Sequence, residues 1–113
     1  MNIQIFGTKK CNDTKKAERF FKERGIKYQF IDMKEKGMSK GEFTSVAQAN
    51  GNIDAMLDPN CKYQDTLTLI RYIAEEDKLE KILKNPQVIR TPVVRNGKQS
   101  TIGYQPDVWK KWE

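Results

Sequence analysis

Histidine is absent from this chain of 113 residues, and cysteine occurs only twice, at Cys11 and Cys61. Zinc and iron–sulfur centres draw mainly on those two residue types, so no resident metal is expected. Two cysteines in a chain this long do not make a disulfide framework either. No apolar run approaches the ~20 residues of a membrane span, so no membrane partner is expected. The first residues already read as a strand, which leaves no room for a signal peptide, and a cytoplasmic, reducing location is the expectation. Repeats and low-complexity segments are lacking as well.

Basic residues outnumber acidic ones, 21 to 15, giving a formal charge of +6 that admits an anionic partner. The charges alternate in sign, however, as in Lys22-Glu23-Arg24 and Lys34-Glu35-Lys36. No basic stripe is interleaved with aromatics, and no helix-turn-helix or RNA-binding signature is present. A solvated basic surface is expected, without direct nucleic-acid binding.

What is present is a pattern of short elements. Met1 to Phe6 alternates apolar and polar residues and ends at Gly7, the reading of a strand. A helix follows Cys11, with Ala17, Phe20 and Phe21 inward and Gly25 as its stop. Residues 27–32, rich in aromatic and branched side chains, form a second strand, so a right-handed βαβ unit with parallel pairing is expected. Ser39 and Glu42 match a capping box ahead of Phe43, Val46 and Ala47. Ile53, Met56 and Leu57 suggest a short helical turn. From Asp65 a longer helical stretch, interrupted near Asp77, carries Leu67, Ile70, Ile73, Leu79, Ile82 and Leu83 inward until Asn85-Pro86. Val93–Arg95 and Lys98–Ile102 flank Asn96-Gly97, which predicts a hairpin with a type I′ turn. A last helix carries Val108, Trp109 and Trp112, read as cover for the core.

The chemistry centres on Cys11. It lies between the first strand and the first helix, where backbone N–H groups lack helical partners and the helix dipole adds positive potential. Lys9, Lys10, Lys15 and Lys16 surround the same point. These surroundings favour the thiolate, so Cys11 is read as a nucleophile. The alternative is a cysteine that merely packs as a small hydrophobe. Thr14 either hydrogen-bonds the Cys11 sulfur or caps the helix start.

The order of these elements, with Thr91-Pro92 before the third strand, looks like the thioredoxin fold with a helical insertion. More narrowly, the chain resembles the ArsC/Spx/YffB family of arsenate-reductase-like proteins. The resemblance rests on Ile5-Phe6-Gly7 through Cys11, the run Cys11 to Ala17, Gly25-Ile26 with Tyr28 and Asp32, Pro86, Thr91-Pro92-Val93-Val94 and Ile102-Gly103-Tyr104. It implies an α/β, glutaredoxin-like mixed sheet in one domain over 1–113, with a helical insertion at about 38–85. It also implies a cis Pro92 against the reactive cysteine, with Thr91 giving backbone contacts. Lys9, Lys10 and Arg90 are candidates for stabilising negative charge, Asn12 and Thr14 for supporting roles, and Cys61 for a resolving thiol. The expected activity is thiol–disulfide oxidoreduction, with glutathione or a glutaredoxin- or thioredoxin-type protein as reductant and no tightly held cofactor.

Several positions depart from the family pattern. Arsenate reductases carry an arginine directly before the proline, where this chain has Thr91, and another near the last strand, where it has Gly103. In the inserted helices Asp58-Pro59-Asn60 stands where relatives place an arginine. Spx-like redox switches have Cys-x-x-Cys, and here the fourth position is Thr14. The alternatives are therefore a non-enzymatic Spx-like regulator binding RNA polymerase, and an arsenate reductase with relocated oxyanion ligands.

Overall fold

A computed structural model describes residues 1–112. Strand β1 (Ile3–Gly7) leads through a short loop into helix α1 (Asn12–Glu23), which returns to strand β2 (Tyr28–Asp32). Gly25, at φ 69°, supplies the left-handed residue that lets α1 end and the chain reverse. Helices α2 (Lys40–Ala49), α3 (Gln64–Tyr72) and α4 (Glu75–Lys84) follow, with short 3-10 turns at Ile53–Met56 and Pro86–Val88. Strands β3 (Val93–Asn96) and β4 (Gln99–Ile102) form the hairpin, and helix α5 (Pro106–Lys110) follows it.

The strands make one sheet in the order β2-β1-β3-β4. β1 and β2 run parallel, as a βαβ crossover requires, and the other two pairings are antiparallel. Strand alternation divides the core. Ile3, Ile5 and Val94 face α1 and α5, joining Ala17, Phe20, Phe21 and Trp109. Phe6, Val93 and Ile102 point the other way, into the apolar faces of α2, α3 and α4 through Phe43, Val46, Leu67, Ile70 and Ile82. The inserted helices thus cover the second face of the sheet.

Two sequence expectations need correction. The long helical stretch breaks at Ile73–Ala74 rather than near Asp77, because the acidic run Glu75, Glu76 and Asp77 opens the new helix α4. Negative side chains are favoured in a first turn. In the hairpin, Asn96 pairs with Gln99, so the loop is Gly97-Lys98. Gly97 has φ 62° and no non-glycine residue has positive φ among the described residues, the pattern of a type II′ turn. The Ser39–Glu42 capping box forms in both directions.

Trp109 is fully buried and its ring N–H donates to Thr101 Oγ1 at 2.7 Å. It packs edge-on against Phe20, with ring centres 5.3 Å apart. Trp109→Ala is expected to destabilise the domain by about 3–5 kcal/mol, the range for large aromatic truncations. Urea unfolding followed by far-UV circular dichroism checks it, a lower midpoint at constant slope being the expected result.

Candidate active site

Register brings the site together. Phe6, next to the last residue of β1, pairs with Val93 at the start of β3, and Val93 pairs with Ile102 at the end of β4. Gly7, Pro92 and Gly103 therefore share one end of the sheet. The Gly103 N–H donates to the Pro92 carbonyl at 2.8 Å, and the Thr91–Pro92 peptide is cis.

Cys11 is the N-cap of α1, in extended conformation and half-buried. Its thiol donates toward the Thr91 carbonyl at 3.8 Å, and the Thr91 hydroxyl donates to Sγ at 3.3 Å. Thr14 is fully buried behind it, and its Oγ1 completes no hydrogen bond among the described residues. Nor does the sulfur complete a cap bond to the helix. The Thr14 hydroxyl and the backbone N–H groups of Asp13 and Thr14 nevertheless face the sulfur and favour its anion. Burial pushes the thiol's pKa up, while the two threonine hydroxyls and these amides pull it further down, so Cys11 ends below an ordinary cysteine.

Lys9, Lys10, Lys15 and Lys16 are exposed, and the lowering of the Cys11 pKa comes from the threonine hydroxyls and amides. Lys16 lies over the Tyr104 ring, 5.7 Å from its centre. Exposed ammonium groups act on the sulfur through screening water and salt.

Asn12 is the exposed first residue of α1. Arg90 is exposed too, and its backbone N–H is fixed to the Met56 carbonyl at 2.8 Å. Cys61 is a free thiol, as is Cys11. The contacts Arg90 to Met56, Ile89 to Leu57 and Asp58 to Val88 run antiparallel, so the chain toward Cys61 leads away from Thr91. The structure thus gathers Thr14 and Thr91 at Cys11, with the cis Pro92 next to Thr91, and the two cysteines are not joined. The Thr91 hydroxyl, as opposed to its backbone, was not foreseen; its place beside the proline was the only available signal. The packing of Gly7 on Thr14 was also missed. A Cβ at Gly7 would lie 3.0 Å from Thr14 Cβ, and closer still to Oγ1 and Cγ2.

A mixed sheet with a cysteine at the first helix's start and a cis-proline beside it defines a thioredoxin-like fold. The glutaredoxin-like protein NrdH-redoxin from Escherichia coli shares it with a TM-score of 0.51 at 15% identity, covering 100% of this chain and 96% of that one. The ArsC family model matches residues 6–112, and the chain belongs to that family. It is similar to an arsenate reductase from Vibrio cholerae, with a TM-score of 0.83 at 21% identity over 98% of this chain and 97% of the other. In sequence it is 24% identical to the global transcriptional regulator Spx 2 of Oceanobacillus iheyensis, over 95% of this chain and 80% of the regulator.

Thr91→Val, which removes the hydroxyl but keeps the shape, is expected to raise the Cys11 pKa and slow its alkylation at neutral pH several-fold. The pH profile of iodoacetamide labelling, resolved by peptide mass spectrometry, measures both. Linkage gives a second expectation. Because the folded-state pKa is depressed, the unfolded chain binds more protons between the two values, and stability rises with pH there. Relative to Cys11→Ser, the native protein should gain stability as pH climbs from the folded pKa toward the ordinary thiol value of about 8.5 and hold it above. That advantage should vanish as pH falls through the folded pKa, which denaturant midpoints across pH will test.

Proposed function

We propose that this protein is a thiol–disulfide oxidoreductase working through one nucleophilic cysteine. The observation that carries the reading is the Cys11 sulfur at a helix start, half-exposed, with the Thr91 hydroxyl at 3.3 Å. A thiolate there is stabilised by donors that are already in place, and thiol exchange needs no metal.

The reaction runs in two displacements. Cys11 thiolate attacks one sulfur of a disulfide, and the other half leaves as a thiolate with the bonding electrons and takes a proton from solvent. A second thiol then attacks the mixed disulfide, releasing Cys11. Glutathione or a thioredoxin- or glutaredoxin-type protein suits that second role, and Cys61 is not needed for it. Thr14 and Thr91 hold the anion between turnovers. Arsenate reduction suits the residues less well, because Thr91 and Gly103 stand where arsenate reductases carry arginines whose planar forks grip oxyanions.

A second reading is favoured by the likeness to the transcriptional regulator. In it the chain is a binding module for RNA polymerase, without a Cys-x-x-Cys switch because position 14 is threonine.

One experiment separates the two. Cys11→Ser and Cys61→Ser variants are assayed for glutathione-coupled reduction of a mixed disulfide and used as bait in cell extract. The oxidoreductase reading expects turnover to fall at least about a hundredfold in Cys11→Ser, as for loss of a nucleophile, and to survive in Cys61→Ser. Turnover indifferent to Cys11, with polymerase subunits retained by both variants, would establish the regulator instead.

A further inference from the structure

Arg90 is a group near the site whose placement the reaction above does not use. Its backbone is pinned on the inserted segment, through Arg90 N–H to the Met56 carbonyl and the bridge between Ile89 and Leu57. Its side chain folds over Gly103. A Cβ at position 103 would sit 3.0 Å from one terminal guanidinium nitrogen, 3.2 Å from Cζ and 3.2 Å from Nε. Gly103 has φ 81°, a conformation other residues rarely adopt, so glycine both permits the turn and opens the space for the guanidinium. The Gly103 N–H donates to the Pro92 carbonyl, and Thr91 touches the sulfur, so these contacts join the guanidinium to the end of the sheet that carries Cys11. Among the described residues, no carboxylate pairs with Arg90. The buried Thr14 hydroxyl facing the sulfur favours negative charge on the sulfur itself.

We propose that Arg90 is the specificity-determining residue of the Cys11 site, its guanidinium over Gly103 capturing a carboxylate carried by the disulfide substrate. The inference rests on the reading of Cys11 as a thiol–disulfide nucleophile. A single planar fork matches one carboxylate through two parallel hydrogen bonds. A small multiply charged oxyanion needs several cations converging on it, and here Lys16 is turned to Tyr104. With the carboxylate held, Cys11 thiolate attacks the adjacent sulfur and forms the Cys11 mixed disulfide. The far half departs as a thiolate with the electron pair and takes a proton from solvent. A second thiol closes the cycle as above.

The test uses the full chain in a Cys61→Ser background, so that only Cys11 reacts. Rate constants are measured by stopped flow for two chromogenic disulfides, the dianionic dithiobis(nitrobenzoate) and the neutral dithiodipyridine, at low and high salt. Their ratio, anionic over neutral, is the readout, because a change in folding or in sulfur reactivity moves both rates together. Arg90→Gln is expected to lower the ratio about tenfold at low salt, within the range electrostatic steering provides. Arg90→Lys should keep part of it, as a point charge without the fork. Gly103→Ala, which crowds the guanidinium out, should mimic Arg90→Gln; should it misfold, the two Arg90 variants carry the test. A ratio unchanged within twofold in Arg90→Gln, with Cys11 still reacting fast, overturns the role of Arg90 alone. If Cys11 reacts with both probes no faster than free cysteine, the thiol-exchange reading falls, and this inference falls with it.

Discussion

The close seating of Thr14 against Gly7 governs where the reactive sulfur can be. Gly7 ends β1, and its missing side chain lets the first turn of α1 come down onto the strand. Any larger residue would push Thr14 outward, and with it the amides of the first turn. Tight contact in a close-packed interior transmits such a shift rather than absorbing it. Cys11 three residues earlier would then lose the Thr91 hydroxyl, which reaches it from another strand's approach. One glycine therefore couples strand, helix and nucleophile.

The electrostatics of the site follow from that seating. Four exposed lysines ring the cysteine in sequence, yet its lowered pKa traces to two threonine hydroxyls and two backbone amides. Solvent separates the two kinds of influence. An ammonium in water is screened within about 8–10 Å at ordinary salt. A donor fixed against the sulfur acts in a drier medium and needs no reorganisation when the anion forms. The unpartnered Thr14 hydroxyl fits the same logic. It is buried with no other partner, so its donor is free to favour the anion of the neighbouring sulfur.

The sequence could be read for elements because each carried its own local chemistry. The Ser39–Glu42 box, the alternation of β1 and the Phe20-Phe21 face of α1 all acted where they stand in the chain. Cys11 was legible for the same reason, as a helix start is a local feature. What was lost depended on contacts across 80 or so positions, such as Thr91 meeting Cys11. The break at Ile73–Ala74 was misplaced because Ile73 keeps the apolar spacing of one continuous helix, although its backbone leaves the helix. The hairpin turn was misjudged by one residue, since Asn-Gly is a strong signal and the register set by Val93 and Ile102 overrode it.

Two small residues decide what stands around the sulfur. Thr91 is short enough for its hydroxyl to touch the sulfur itself. Gly103, with no side chain, leaves room for the Arg90 guanidinium. Hydroxyls therefore meet the sulfur directly, and the guanidinium stands beside Gly103. Under the proposed role of Arg90, an elongated substrate with its charge displaced from the reacting bond matches this arrangement better than a compact anion centred on the sulfur. On that proposal, what the Cys11 site holds is decided by where the guanidinium stands, beside Gly103 and to one side of the reacting sulfur.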